Sequence, residues 1–242
     1  MKLYGLIGDS LKNSRSKELF EKYAKKTNPD CEYRNFELTD IGQLTELLAE
    51  YPEIEGFNVT KPFKTDILPW IDSLTPEAEA IGAVNCVKVE HDDDGNFRLI
   101  GHNTDSKGFL MCLINFLSKE HFTVYIIGTG GAAKAVAHAL KPFNCDIFFI
   151  SRKKKAGAIR YWEINPEAFE DKVIVVNATP VRPVFPYEHL AAGDIAFDLN
   201  YHPTTTAFMR RAAEKGAMVC NGLGMLLNQA FLSWEFWGLK LK

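Results

Sequence analysis

Val124-Tyr125-Ile126-Ile127-Gly128-Thr129-Gly130-Gly131-Ala132-Ala133-Lys134-Ala135-Val136 decides the fold, because across it the apolar pattern changes from that of a buried strand to that of a helix. Gly128, Gly130 and Ala133 fill a G-x-G-x-x-[GA] pattern. The first glycine suits a tight turn, the second lets backbone approach a pyrophosphate, and the third position packs the helix close to the strand. A helix opening at Gly131 aims free N–H groups and the positive end of its dipole at an anion. An isolated pattern of this kind also suits a plain glycine-rich connection. Here a strand precedes it, an alanine-rich helix follows, and a further strand over Asp146–Ser151 comes next, which is the setting of a dinucleotide phosphate.

About 20 residues past the glycines, an NAD-selective fold carries Asp or Glu for the ribose 2′-hydroxyl. This chain has Ser151-Arg152-Lys153-Lys154-Lys155 instead. Such a run is a solvated face in most settings. At the end of this strand it can pair with the 2′-phosphate of NADP, each charge-assisted bond contributing about 1.5 to 3 kcal/mol.

The 242 residues are enough for two modest domains, and 46% hydrophobic content with charges spread throughout describes a globular chain. A net charge of −3 gives no general reason to bind nucleic acid, so an anionic ligand must be met by local basic groups. No apolar run approaches the length of a membrane span, and Met1–Gly5 enters a strand without a signal-peptide pattern, so the expected location is the cytoplasm, with no membrane partner. Cys31, Cys86, Cys112, Cys145 and Cys220 form an odd set without C-x-x-C spacing, which argues against a disulfide frame or a zinc site; they read as small core residues.

Upstream of the glycine turn, Leu3–Ile7 reads as a first buried strand, followed by a helix with Leu19, Phe20, Tyr23 and Ala24. Ser14 and Ser16 flank its start, either as an N-cap or as two hydroxyls presented to a substrate carboxylate or hydroxyl. Cys31–Leu38 is a second strand, and Thr39 is placed to cap a helix carrying Ile41, Leu44, Leu47 and Leu48. Glu55–Lys64 runs from a strand through a turn into a helix whose first position suits Pro62, which puts Asn58, Thr60 and Lys64 near one strand end. Lys64 could equally be a solvated helix lysine. Thr75-Pro76 starts another helix; Asn85, before a strand over Cys86–Glu90, could cap a turn. Asp92–Asn96 turns that strand into a second over Phe97–Gly101. Asp105 then opens a helix with Phe109, Leu110, Leu113 and Leu117, where an N-cap role is the structural alternative.

Downstream, residues 156–171 are short and irregular, with a possible strand near Ile159–Trp162; Val173–Asn177, Asp194–Leu199 and Met218–Asn221 read as strands. Thr204–Lys215 and the chain from Met225 onward read as helices.

Together these pieces resemble the shikimate dehydrogenase family along nearly the whole chain. The resemblance is carried by Gly5-Leu6-Ile7-Gly8 with Ser14-x-Ser16, Asn58-Val59-Thr60-x-Pro62-x-Lys64, Ile81-Gly82-Ala83-Val84-Asn85, Asn103-Thr104-Asp105 and Gly128-x-Gly130-Gly131-Ala132. Asn177-Ala178-Thr179-Pro180 and Gly222-Leu223-Gly224-Met225-Leu226 with Gln229 complete it, in the family's order. It implies an α/β fold of two domains. The substrate domain is 1–104 plus 223–242, with the C-terminal helix returning to it, and 105–222 is a Rossmann-type NADP-binding domain.

The resemblance also implies the reversible NADPH-dependent reduction of 3-dehydroshikimate to shikimate in aromatic biosynthesis. Lys64 is implied as the catalytic acid and base with Asp105 as its partner, the two facing each other from the ends of two domains. Ser14, Ser16, Asn58, Thr60, Asn85, Tyr201 and Gln229 match substrate-binding positions. Gly128, Thr129, Gly130, Gly131, Ala132, Ser151, Arg152, Lys153, Asn177, Thr179, Leu199, Gly222 and Met225 match cofactor-binding positions.

Three departures all fall on the cofactor side. The stretch around 156–172 is shorter than the family's helix and strand, so a trimmed cofactor domain is expected. Ser106 and Val181-Arg182-Pro183 replace a glycine and a Gly-Met turn, and the adenosine turn reads Ser-Arg-Lys in place of Asn-Arg-Thr. Two other readings are a quinate/shikimate dehydrogenase using NAD, disfavoured by the basic turn and by the Ser14–Ser16 pair, and a non-catalytic metabolite-binding relative, disfavoured by the presence of both Lys64 and Asp105. The expected partner is a small molecule, bound by a monomer or homodimer.

Overall fold

Alternation of apolar and polar stretches resolves into twelve strands and seven α-helices among the described residues. The computed structural model describes residues 1–117, 119–165, 169 and 171–240. In order they are β1 (Lys2–Gly8), α1 (Ser16–Tyr23), β2 (Cys31–Glu37), α2 (Leu44–Glu50), β3 (Ile54–Val59), β4 (Ser73–Leu74), α3 (Pro76–Ile81), β5 (Cys86–His91) and β6 (Phe97–His102). There follow α4 (Asp105–Leu113), β7 (Phe122–Ile127), α5 (Gly131–Leu140), β8 (Cys145–Ile150), β9 (Ala158–Ile159) and β10 (Lys172–Asn177). The last are β11 (Ile195–Asp198), α6 (Ala207–Ala213), β12 (Met218–Asn221) and α7 (Leu223–Phe236).

The chain forms two compact units, Met1–Asp105 with Leu227–Lys242, and Ser106–Leu226. The expected boundaries shift slightly: Asp105 falls in the first unit and 223–226 in the second. The side chains explain this, since Asp105 pairs with Lys64 while Met225 packs into the core of the second unit. Residues 241–242, included in the expected substrate domain, lie outside the described residues.

In the first unit the sheet order is β2-β1-β3-β5-β6-β4. β1 pairs parallel with β2 and β3, while β3–β5 and β5–β6 are antiparallel. One face buries Leu3, Ile7, Phe57 and Val87 against Leu44, Leu47 and Leu48 of α2. The chain from Leu227 belongs to this unit: Trp237, just past the end of α7, stacks on Tyr4 at 4.9 Å and donates its indole N–H to the Val87 carbonyl at 2.9 Å.

The second unit is a fully parallel sheet, β12-β11-β10-β7-β8-β9. Its order reverses between β7 and β10, which makes a switch point beside the glycine turn. Strand alternation gives two cores: Phe122, Val124 and Ile126 of β7 pack with α5 on one face, and Tyr125 and Ile127 pack with Phe208 and Met209 of α6 on the other. A strand buried on both faces in this way reads as the unbroken apolar run seen in the sequence. Between β8 and β10 the described chain holds the two-residue β9 and a 3₁₀ turn over Tyr161–Glu163, with no α-helix among the described residues. Residues 166–168 and 170 of the stretch expected to be shortened lie outside the described residues.

Local expectations fail in three places. The helix expected at Pro62 is a series of turns, because the Lys64 carbonyl accepts from Val84 N at 2.8 Å and is not available to continue a helical ladder. Asp40, not Thr39, caps the segment before α2, its side chain accepting from Gly42 N at 2.7 Å; Thr39 instead donates to the Gln43 side chain. Neither Ser14 nor Ser16 caps α1, whose N-cap is Arg15 without a side-chain bond; Ser14 Oγ accepts from Ser16 N at 3.3 Å.

Candidate active site

In the first unit, the chemistry-bearing side chains lie at the ends of β3 and β6 and on α7. Lys64 is held from behind by the Val84 backbone, and its Nζ donates to Asp105 Oδ2 at 2.5 Å. The two side chains are 17% and 5% exposed, so the pair is largely screened from water yet the amine still has an open side. Asn103 Oδ1 accepts from Asp105 N at 3.1 Å, while Asn103 Nδ2 donates to the Ala83 carbonyl at 2.9 Å, which fixes the backbone that carries the carboxylate. Lys64 and Asp105 belong to the same unit, which corrects the expectation that they face each other from two domains: the segment 103–105 is the continuation of β6, hydrogen-bonded beside Asn85.

Through Thr104, the neighbour of Asp105, the structure brings Asn85 and Gln229 together beside this pair. Asn85 is buried; its Oδ1 accepts from Thr104 N at 2.7 Å and its Nδ2 donates to Thr104 Oγ1 at 2.9 Å and, more loosely, to Gln229 Oε1 at 3.4 Å. Ser14, Ser16 and Thr60 are half-buried at the ends of loops leaving β1 and β3. Each polar group of Asn58 already has an internal partner: Oδ1 accepts from Tyr33 Oη at 3.0 Å, and Nδ2 donates to the Asn85 carbonyl at 3.1 Å and to Ser233 Oγ at 2.8 Å. Asn58 thus supports the site from beneath. Tyr201 is half-buried in the second unit. Burial holds the Cys86 thiol well above its ordinary value, pushed up to about 12, with the Ser233 hydroxyl opposing and the Asp105 charge reinforcing the rise.

Sequence reasoning missed Tyr33, Ser233 and Thr104. Ser233 stands one helical turn after Gln229, and Thr104 adjoins Asp105, so spacing offered a signal for both; nothing local marked Tyr33.

In the second unit, Gly128 has φ +118°, a conformation open to glycine, and a side chain there would press on the Ala178 carbonyl and Thr179. A Cβ on Gly130 would meet nothing within 4 Å, and Gly130 caps α5 without a side-chain bond. α5 thus opens at an uncapped N-terminus after a glycine with open space at its Cβ position, which fits a dinucleotide pyrophosphate. Lys155 Nζ donates to Thr129 Oγ1 at 2.9 Å, so the basic turn reaches the glycine turn; Ser151 Oγ accepts from Lys153 N at 3.3 Å, and Arg152 and Lys153 are exposed.

At the carboxyl ends of β10 and β11, Asn177 Nδ2 donates to the buried Asp198 Oδ1 at 3.0 Å, and Thr179 Oγ1 donates to Asn177 Oδ1 at 2.8 Å. A cavity of about 180 Å³ opens there, lined among others by Asn177, Arg182, Asn200 and His202. Leu199 N donates to the Asn177 carbonyl at 2.9 Å, and Gly222 is buried so close to the Leu199 carbonyl that a Cβ would collide with it. Met225 packs in the core of this unit.

Residues 6–87 match the family model of the shikimate dehydrogenase substrate binding domain. The chain is similar to a shikimate dehydrogenase (NADP(+)) of Clostridium botulinum strain Hall, 33% identical over 254 residues that cover 97% of this chain and 96% of the relative. Among solved structures, shikimate 5-dehydrogenase of Thermus thermophilus in complex with NADP(H) and shikimate superposes with a TM-score of 0.82 at 30% identity, covering 100% of this chain and 95% of that one. Shikimate 5-dehydrogenase of Listeria monocytogenes in complex with shikimate and NAD gives 0.84 at 29% identity, covering 100% and 93%.

Proposed function

The chain belongs to the shikimate dehydrogenase family, and on that premise we propose that it catalyses the reversible NADPH-dependent reduction of 3-dehydroshikimate to shikimate in aromatic biosynthesis. The observation that carries the reading is the buried contact of Lys64 Nζ with Asp105 Oδ2 at 2.5 Å, among half-buried hydroxyl and amide side chains. A small acid rich in hydroxyls is the ligand such a set suits, and one missing a hydroxyl would leave a buried donor unpaired. As working form we propose a cytoplasmic monomer or homodimer; among the described residues no helix is long and apolar enough to cross a membrane.

NADPH, when bound, supplies the hydride that reaches the carbonyl carbon. The protein must then deal with charge on the carbonyl oxygen. Lys64 donates an N–H to that oxygen and gives up a proton as the alcohol forms; in the oxidation it accepts the hydroxyl proton. Asp105 holds the amine in place and balances its charge. Help of this kind is commonly worth about 10² to 10⁴ in rate. Ser14 and Ser16 take the substrate carboxylate, and Thr60, Asn85 and Gln229 its hydroxyls, with Asn58 fixing Asn85 from below. Residues Gly128–Ala132 hold the pyrophosphate, Ser151, Arg152 and Lys153 the adenosine 2′-phosphate, and Asn177, Thr179, Leu199, Gly222 and Met225 shape the wall at the strand ends where the nicotinamide is placed.

The test follows nicotinamide absorbance with purified protein. Turnover of shikimate with NADP⁺, well above that with NAD⁺, supports the reading. Comparable turnover of quinate with NAD⁺ points to the quinate/shikimate enzyme, and binding of shikimate without turnover to a non-catalytic relative.

A further inference from the structure

Beneath the candidate substrate residues runs a chain of buried hydrogen bonds through Tyr33, Ser233 and Thr104, three side chains to which the proposed reaction gives no role. It begins at Tyr33, whose hydroxyl donates to Asn58 Oδ1 at 3.0 Å with the Ser16 hydroxyl facing it from the other side. The Asn85 carbonyl, which can only accept, lies 3.1 Å from the other end of the Asn58 amide and so marks it as nitrogen, and Nδ2 also points at Ser233 Oγ, 2.8 Å away. Ser233, fully buried on α7, donates its one proton to the Gln229 carbonyl at 2.8 Å. It is left with lone pairs, which receive Asn58 Nδ2 and face the Thr104 hydroxyl at 3.2 Å, a group that lies equally 3.2 Å from Asn85 Oδ1. Thr104 in turn holds Asn85, and Asn85 reaches Gln229 Oε1.

We propose that Ser233 is a positioning residue for substrate binding: by tying Asn58, Thr104 and the Gln229 turn of α7 together, it sets the amides of Asn85 and Gln229 for the substrate's hydroxyls, with Tyr33 as the far anchor. A hydroxyl in a fully buried position carries a desolvation cost that an alanine would avoid. A completely satisfied polar network repays that cost with a unique orientation of its members. Ser233 joins three segments far apart in sequence, β3, the 103–105 segment and α7, and every one of them carries a candidate substrate or catalytic side chain. The inference rests on the dehydrogenase reading. Asn85 and Gln229 hold substrate equally in the ground and transition states, so misplacing them raises KM and spares kcat.

Steady-state kinetics with shikimate and NADP⁺ varied in turn, together with thermal melting, on the full-length protein and the variants Ser233→Ala, Ser233→Thr and Tyr33→Phe tests this. Ser233→Ala should raise the KM for shikimate about five- to twentyfold, leave kcat within about threefold and leave the KM for NADP⁺ unchanged. Ser233→Thr, which keeps the hydroxyl, should recover most of the shikimate KM, and Tyr33→Phe, which deletes one oxygen, should raise it. A folded Ser233→Ala protein with the wild-type KM for shikimate, or one in which both KM values rise together, overturns the proposal. If Ser233→Ala does not fold, a wild-type KM in Tyr33→Phe overturns it. A wild-type protein that turns over no shikimate sinks the dehydrogenase reading itself; an active wild type with unmoved KM values sinks the role of Ser233 alone.

Discussion

Lys64 is held at both ends by different segments, its carbonyl by Val84 and its amine by Asp105, so its reach is set by backbone rather than by the rotamers of a free lysine. Close behind that pair lies Cys86, whose thiol burial lifts from its ordinary 9.0 to about 12. The unfolded chain loses that proton near the ordinary value while the folded chain keeps it. Stability from this group is therefore whole below about pH 9 and drains away as pH rises towards the folded value, at about 1.4 kcal/mol per pH unit. Urea denaturation at a series of pH values should show wild-type stability falling between about pH 9 and 11, and Cys86→Ala falling with a shallower slope. Equal slopes would contradict the account. Residues such as Lys64 and Asp105 were legible in the sequence because their chemistry sits in short runs, Asn58-Val59-Thr60-x-Pro62-x-Lys64 and Asn103-Thr104-Asp105. Tyr33 and Ser233 were not, because each meets Asn58 across 25 and 175 residues of chain, and a buried tyrosine or serine on an apolar face carries no local mark of its partner.

Among the elements, the strand–glycine turn–helix of β7 and α5 is legible because three local signals agree: an unbroken apolar run, glycines at fixed offsets, and alanines that let the helix lie close. The segment after β3 shows the limit of such reading. Pro62 suits a helix start by local preference, but the backbone there bonds across to Val84, and tertiary pairing overrides propensity. The turn after β8 belongs to this scale as well, since Arg152 and Lys153 act through their place at a strand end. Replacing both with alanine should weaken NADPH binding at least about tenfold and leave NADH binding within about twofold, as each charge-assisted bond to a phosphate is worth about 1.5 to 3 kcal/mol. Fluorescence titration of the two nucleotides checks this, and a parallel loss for both would mean that the turn supports the fold rather than reads the 2′-phosphate. Because these side chains are exposed, the preference should shrink as salt is raised.

Over the whole molecule, the chain leaves the first unit after Asp105 and re-enters it at Leu227, so most of α7 completes a core begun at β1. Trp234 and Trp237 fill that core against Phe20 and Tyr4, which explains a C-terminal helix with little polar surface. The two-sheet architecture could be anticipated because parallel strands buried on both faces and strands buried on one face leave different patterns. The placing of Asp105 in the first unit could not, since an acidic residue at a helix start serves equally as a cap or as a partner for a distant amine. That pairing is the centre of the account. Its most direct test is nicotinamide absorbance with shikimate and NADP⁺, run side by side on the wild-type protein and Lys64→Ala, with shikimate affinity measured by calorimetry. The account predicts turnover by the wild type and a rate about 10² to 10⁴ lower in the variant, with shikimate still bound; equal rates in the two proteins would contradict it.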